Sequence, residues 1–195
     1  MRLPTLASLP EGAFALTEPK RLIFLFLMPG DFIIPGLFEL ECCDLIALTA
    51  LRTADASPLL QCEDGSTART TALIRQSGRY YRLFLLDHLT RLTGGDTARA
   101  VAHMLYEFYV RAGSSGACAE GQFHLPIGQR VINRALGRSS VEVNKVISLF
   151  QTEGLLDVGY DWIKVCEPDG LRRRAGKTHS LDRPARPNTA VDVAA

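Results

Sequence analysis

LPIGQRVINRALGRSSVEVNKVISLF, residues 125–150, is the stretch that decides how this chain is read. It divides into two short helices and a tight turn. Ile127, Val131, Ile132 and Ala135 recur at three- and four-residue spacing and give the first helix one apolar stripe. Leu136-Gly137 ends that run, and Gly137 can take the positive φ that a sharp turn between helices needs. The second helix opens at Ser139-Ser140-Val141-Glu142, a capping-box pattern. Ser139 can accept from the amide of Glu142, and the Glu142 carboxylate can accept from the amide of Ser139. Val143, Val146, Ile147 and Phe150 then face inward, and Gly154 stands where a helix stops. Outward point Ser140, Glu142, Asn144, Lys145, Ser148 and Gln151, side chains of a length suited to base edges and phosphates. A helical hairpin with a solvated face would show the same spacing. The residues after it favour a helix-turn-helix: Gly154–Val158 and Trp162–Val165 read as short strands around Gly159-Tyr160-Asp161. A hairpin directly behind the second helix is the wing of a winged helix.

These residues carry a resemblance. Leu125-Pro126-Ile127-x-Gln129, Ala135-Leu136-Gly137 and Ser139-x-Val141-x-Val143-Asn144-Lys145, followed by Gly154-Leu155-Leu156, fall without gaps at the spacing of one family. The segment resembles the DNA-binding domain of the Crp/Fnr superfamily of bacterial transcription regulators. The resemblance implies DNA contacts from Gln129, Arg138, Ser139, Ser140, Val141, Glu142, Asn144, Lys145 and Ser148. Ser140, Val141, Asn144 and Lys145 would meet bases; Gln129 and Arg138, and more weakly Ser148, would meet phosphates. Lys145 stands where relatives carry an arginine that reads guanine, and it lacks the bidentate fork. Val141 replaces a glutamate that many relatives aim at cytosine, and it can touch a thymine methyl instead.

Upstream, the apolar run Leu22–Met28 has strand length. Met28-Pro29-Gly30-Asp31 is a turn, Phe32-Ile33-Ile34 starts another strand, and Cys43–Ala54 holds one or two more. This order resembles the second half of the cyclic-nucleotide-type β-roll that serves the same superfamily as a sensor. Two departures stand out. Where cyclic-nucleotide binders carry Gly-Glu this chain has Ile34-Pro35, and where they carry Arg-Ser it has Asp44-Leu45. An aspartate facing a phosphate repels it, so cyclic-nucleotide binding is not expected. The resemblance also starts partway through the roll, so the first sensor strands are expected to lack a counterpart, through a shortened or degenerate N-terminus.

Pro58–Thr71 reads as a loop or short helix. Ser77–Thr93 reads as a helix with Tyr81, Leu85, Leu89 and Leu92 on one stripe and Leu83, Leu86 and Thr90 on a second. In the family such a helix pairs with its copy, which makes Tyr81, Leu85, Leu89 and Leu92 the implied homodimer interface; a core helix within one subunit is the alternative. His88 is expected at the surface or partly packed, and His103 carries no assigned chemistry. Gly94-Gly95 reads as the hinge, and Asp96 caps the next helix. That helix shows a core stripe of Ala98, Val101, Ala102, Leu105, Phe108, Tyr109 and Ala112. Beyond Glu167 the Arg172-Arg173-Arg174 triplet, Pro184 and Pro187 lack apolar periodicity, and residues 169–195 are expected to be disordered. The fold class is therefore α+β: a partial antiparallel β-roll (1–76), a dimerisation helix and hinge (77–95), a winged helix-turn-helix (96–168) and a tail (169–195).

Composition fits a soluble globular chain. Its 195 residues are 47% hydrophobic and 22% charged, with a net charge of +1. That charge does not itself announce nucleic acid, although Arg130, Arg134, Arg138 and Lys145 gather in the helical pair. Cys42, Cys43, Cys62, Cys118 and Cys166 show no metal-ligand spacing and read as reduced thiols, mostly buried, in a cytoplasmic protein. No cofactor or membrane span is expected, and no nucleophile–base pair or phosphate loop suggests an enzyme. The reading is a regulator that binds palindromic double-stranded DNA as a dimer, with RNA polymerase a partner compatible with that class. The alternative is a remnant that binds no DNA and heterodimerises with a full-length relative.

Overall fold

The computed structural model describes residues 7–180 apart from 12–13, 18–22, 34–43, 51, 57, 59–65, 126 and 128. Ile34-Pro35, Cys42, Cys43, Cys62 and the tail from residue 181 lie outside the described residues. The chain divides into two compact units, one running to Leu85 and the other starting at Leu86.

In the first unit β1 (Ala7–Glu11), β2 (Phe14–Thr17), β3 (Ile23–Leu27), β4 (Phe32–Ile33), β5 (Asp44–Ala47) and β6 (Arg52–Asp55) form two antiparallel three-stranded sheets, ordered β4-β1-β6 and β3-β2-β5. Strand β3 is buried along its length except for half-buried Phe24, which is why its sequence is continuously apolar rather than alternating. The turn after it is held by one carboxylate. Asp31 accepts from the Met28 amide at 2.8 Å, its own amide donates to the Met28 carbonyl at 3.0 Å, and Gly30 takes a φ of 88°.

Helix α1 (Ser66–Thr93) starts at Ser66, well before the expected Ser77. Its early turns are rich in Thr, Ser and Arg and show no clear stripe. Tertiary contact decides them, with Ile74 packed against Phe32 and Ala56. Tyr81 corrects the expected dimer stripe. It is fully buried, its hydroxyl accepts from the Phe32 amide and donates to the Phe32 carbonyl, both at 2.9 Å, and so it belongs to the core of the first unit.

The second unit holds the end of α1, α2 (Thr97–Ser114), β7 (Cys118–Ala119), β8 (Gln122–His124), α3 (Gln129–Leu136), α4 (Ser140–Thr152), β9 (Leu156–Val158), β10 (Trp162–Val165) and α5 (Pro168–Ala175). Asp96 caps α2 as expected, its Oδ1 accepting from the amides of Ala98 at 2.9 Å and Arg99 at 3.2 Å. The unit boundary falls inside α1 rather than at Gly94-Gly95, which instead connect α1 to α2. The strands form one antiparallel sheet ordered β7-β8-β10-β9. Val101, Leu105, Phe108, Phe123, Leu136, Val143, Phe150 and Leu171 are among its buried core residues.

Helix α5 corrects the expected disorder from residue 169. Leu171 and Ala175 are fully buried. Arg99 donates from Nε to the Ala175 carbonyl at 3.3 Å, and Arg174 pairs with Glu153 at 2.6 Å. Two apolar residues four apart are too short a stripe to read from sequence, and the three arginines beside them resemble a solvated tail.

Candidate nucleic-acid interface

The turn between α3 and α4 forms as its residues dictate. Gly137 takes a φ of 61°, its amide donates to the Arg134 carbonyl at 3.3 Å, and the Arg138 amide donates to the Asn133 carbonyl at 3.1 Å. Ser139 then caps α4 with extended backbone angles. Its Oγ accepts from the Glu142 amide at 3.3 Å, while the Glu142 carboxylate accepts from the Ser139 amide at 3.1 Å and the Ser139 hydroxyl at 2.6 Å. These bonds from the Ser139 hydroxyl and amide hold the Glu142 carboxyl below its usual pKa. Ser139 and Glu142 are therefore engaged with each other, as the capping pattern predicts.

Beyond the cap, α4 has two faces. Val143 and Phe150 are fully buried. Ser140, Asn144 and Ser148, four residues apart, and Val141 and Lys145 beside them, line the opposite side, with Val141 and Asn144 open to solvent. Val141 is 62% exposed, which is unusual for an apolar side chain inside a helix. Arg130 of α3 is exposed as well. Arg138 donates from its guanidinium to the Gly94 carbonyl, which ties it to the protein and weakens it as a phosphate ligand. Gln129 opens α3, and its side chain lies outside the described residues.

The expected wing is present. Strands β9 and β10 pair in register Ile163↔Val158, Lys164↔Asp157 and Val165↔Leu156, and the Gly159 amide donates to the Trp162 carbonyl at 3.0 Å. A β-carbon on Gly159 would run into the Trp162 indole as it is placed, so any other residue there would have to displace that ring. Tyr160 stands fully exposed at the tip.

On α1, Leu89 is 53% and Leu86 49% exposed, whereas Leu85 and Leu92 are half-buried. Arg75, Arg79 and Arg82 continue the exposed stripe towards the N-terminus. Of the thiols, Cys118 is half-buried and Cys166 exposed, and both are free.

A buried polar network between α1 and α2 is not legible in the apolar spacing of the sequence. His88 and His103 are each 2% exposed, which corrects the surface placement of His88. Glu107 accepts from Arg91 at 2.6 Å and from Arg111 at 2.7 Å, and Arg91 lies 3.1 Å from His103 Nδ1. Burial alone would raise the Glu107 pKa, but the two guanidiniums outweigh it and lower it. Burial, helped by the Arg91 charge and opposed by Glu107, drops His88 to about 4. Ala100, Met104, Glu107 and Arg111 form a second buried stripe along α2. Charged residues on such a stripe are the signal that could have revealed the network.

A capped helix α4 follows a tight glycine turn and is itself followed by a wing. Residues 99–174 match the Crp-like helix-turn-helix domain. No curated protein matches the chain by sequence. Among solved structures it is similar to FixK2 from Bradyrhizobium japonicum, at 20% identity over 90% of each chain, with a TM-score of 0.67. It is also similar to a CRP-family transcriptional regulator of Thermus thermophilus, at 20% identity over 90% of this chain and 89% of that one, with a TM-score of 0.61. A CRP/FNR-family regulator of the same organism matches at 21% identity over 88% and 87%, with a TM-score of 0.58. The chain thus has the Crp/Fnr fold, α+β with antiparallel sheets ahead of the Crp-like domain. It spans about nine-tenths of the first two structures, whereas the sequence reading expects the first sensor strands to lack a counterpart. Strand β1 lies where hydropathy shows no firm pattern, whereas β2 overlaps Gly12-Ala13-Phe14-Ala15-Leu16, a stretch that can be read as a strand. Among the described residues no helix is long and apolar enough to cross a membrane.

Proposed function

We propose that this protein is a sequence-specific transcription regulator that binds double-stranded DNA through α4. The observation that carries the reading is the outward face of Ser140, Val141, Asn144, Lys145 and Ser148 on a helix whose opposite face is locked in the core. Such a helix can enter a major groove without unpacking anything. Ser139 and Glu142 serve it as the cap, Asn144 and Lys145 offer hydrogen bonds to base edges, and Val141 offers a methyl contact. Arg130 and Arg134 add phosphate neutralisation.

Two copies would read the two halves of a palindrome about one helical turn apart. The apolar contact between them centres on Leu86 and Leu89, because Arg75, Arg79 and Arg82 along the same stripe would repel their own copies. Asp44-Leu45, at the start of β5, argues against a cyclic phosphate ligand. RNA polymerase and a cytoplasmic location follow from the same reading.

The test is selection from a random duplex pool, followed by titration of the selected duplex at graded salt. A palindromic consensus and a steep fall of affinity with salt support the reading. A pool without enrichment, with no salt dependence, overturns it.

A further inference from the structure

After α5 the chain does not leave the molecule. Gly176 takes a φ of 73°, a turn that glycine makes at low cost, and residues 177–180 come back to α1. Their target is Asp87, a carboxylate 1% exposed. Asp87 Oδ1 accepts from the His179 amide at 2.6 Å, and Oδ2 accepts from the Ser180 amide at 2.8 Å and the Ser180 hydroxyl at 2.5 Å. His103 Nε2 of α2 stands 3.6 Å from Oδ1. Thr178 and Ser180 are themselves buried. This strap is polar and has no helix or strand, so apolar burial does not hold it down. Asp87 does, and without the strap Asp87 would be a buried charge short of donors. The two stabilise each other.

The same strap is the end of a physical chain that leads to α4. Arg174 of α5 pairs with Glu153 at the C-cap of α4, and α5 packs along α2 with Arg99 on its last carbonyl. We propose that Asp87 is a positioning residue: by clasping residues 179–180 it fixes the direction of the last turns of α1, residues 86–93, within the unit that carries α4. This rests on the reading of α4 as the DNA reader and of α1 as the pairing helix. On that reading the clasp sets the distance between two reader helices, and hence the half-site spacing, without touching a base. Release of the strap leaves each reader intact and lets the pair splay.

The test uses the full-length protein, D87N and S180A. S180A removes one hydroxyl donor and keeps the carboxylate, so it remains informative should D87N fail to fold. Hydrogen exchange of amides 86–93 should quicken about tenfold or more in D87N and less in S180A, the size expected for losing charge-assisted hydrogen bonds, while amides 143–150 of α4 keep their protection. D87N should also tolerate operators whose half-sites are moved apart by one base pair, yet keep its preference at each half-site; K145A should do the reverse. Unchanged exchange at 86–93 in both variants overturns the clasp. Quickened exchange with unaltered spacing preference overturns its positioning role. A wild-type protein without DNA selectivity overturns the reading of α4, and the exchange measurement then decides the clasp alone.

Discussion

The outer face of α4 and the network between α1 and α2 are both polar but are placed under opposite conditions. On α4, Ser140, Asn144, Lys145 and Ser148 face water, where hydration costs nothing to keep and a ligand can replace it. Between α1 and α2, Asp87, His88, Arg91, His103, Glu107 and Arg111 are each at most 5% exposed, and partners within the fold take the place of water. A polar residue is available for recognition when the fold leaves it solvated, and it fixes geometry when the fold dries it. Removing a side chain should therefore damage binding in the first region and stability in the second.

The sharpest break of that contrast is Glu107→Ala. It strands two buried guanidiniums, and a loss of about 3–5 kcal/mol in denaturant unfolding is expected. A loss below ~1 kcal/mol would mean that water reaches the network. Acidification should act next. The folded pKa of His88 lies near 4, below the ordinary 6.5, so as pH falls the unfolded chain takes the proton first. Stability is then lost between about pH 6.5 and 4, by up to ~3 kcal/mol from this group. His88→Gln should flatten that part of the stability–pH curve.

On the exposed side, Lys145→Ala should weaken binding to the selected operator by about 1–3 kcal/mol and leave the melting temperature nearly unchanged. Equal affinity for wild type and variant would remove α4 from the role of reader. Ser139→Ala lies between the two regions, since an exposed hydroxyl there supports a helix end. A stability loss of about 1 kcal/mol is expected in thermal melts, with some weakening of DNA binding as the first turn of α4 frays.

Local patterns account for what could be read without coordinates. The capping box at Ser139, the positive φ of Gly137, the carboxylate cap of Asp96 and the turn at Asp31 each depend on neighbours within a few residues, and each forms as read. The wing follows from two short strands and a glycine turn. Where the reading fails, the deciding partner is distant. Tyr81 looks like one more position on a helical stripe, and Phe32, in another part of the chain, makes it core. Ser66–Gln76 lacks periodicity, and packing makes it helix. The segment after Glu167 resembles a solvated arginine tail until Leu171 and Ala175 find α2.

Sequence alone determined the two helices and the wing: spacing, caps and turn glycines specify them because those choices are local and repeat with the period of the backbone. Only the tertiary structure decided which charges are dry, that Arg138 is spent on Gly94, and that residues 179–180 return to Asp87. Those outcomes depend on burial by residues far away in sequence, and no local pattern encodes how much water a side chain will keep.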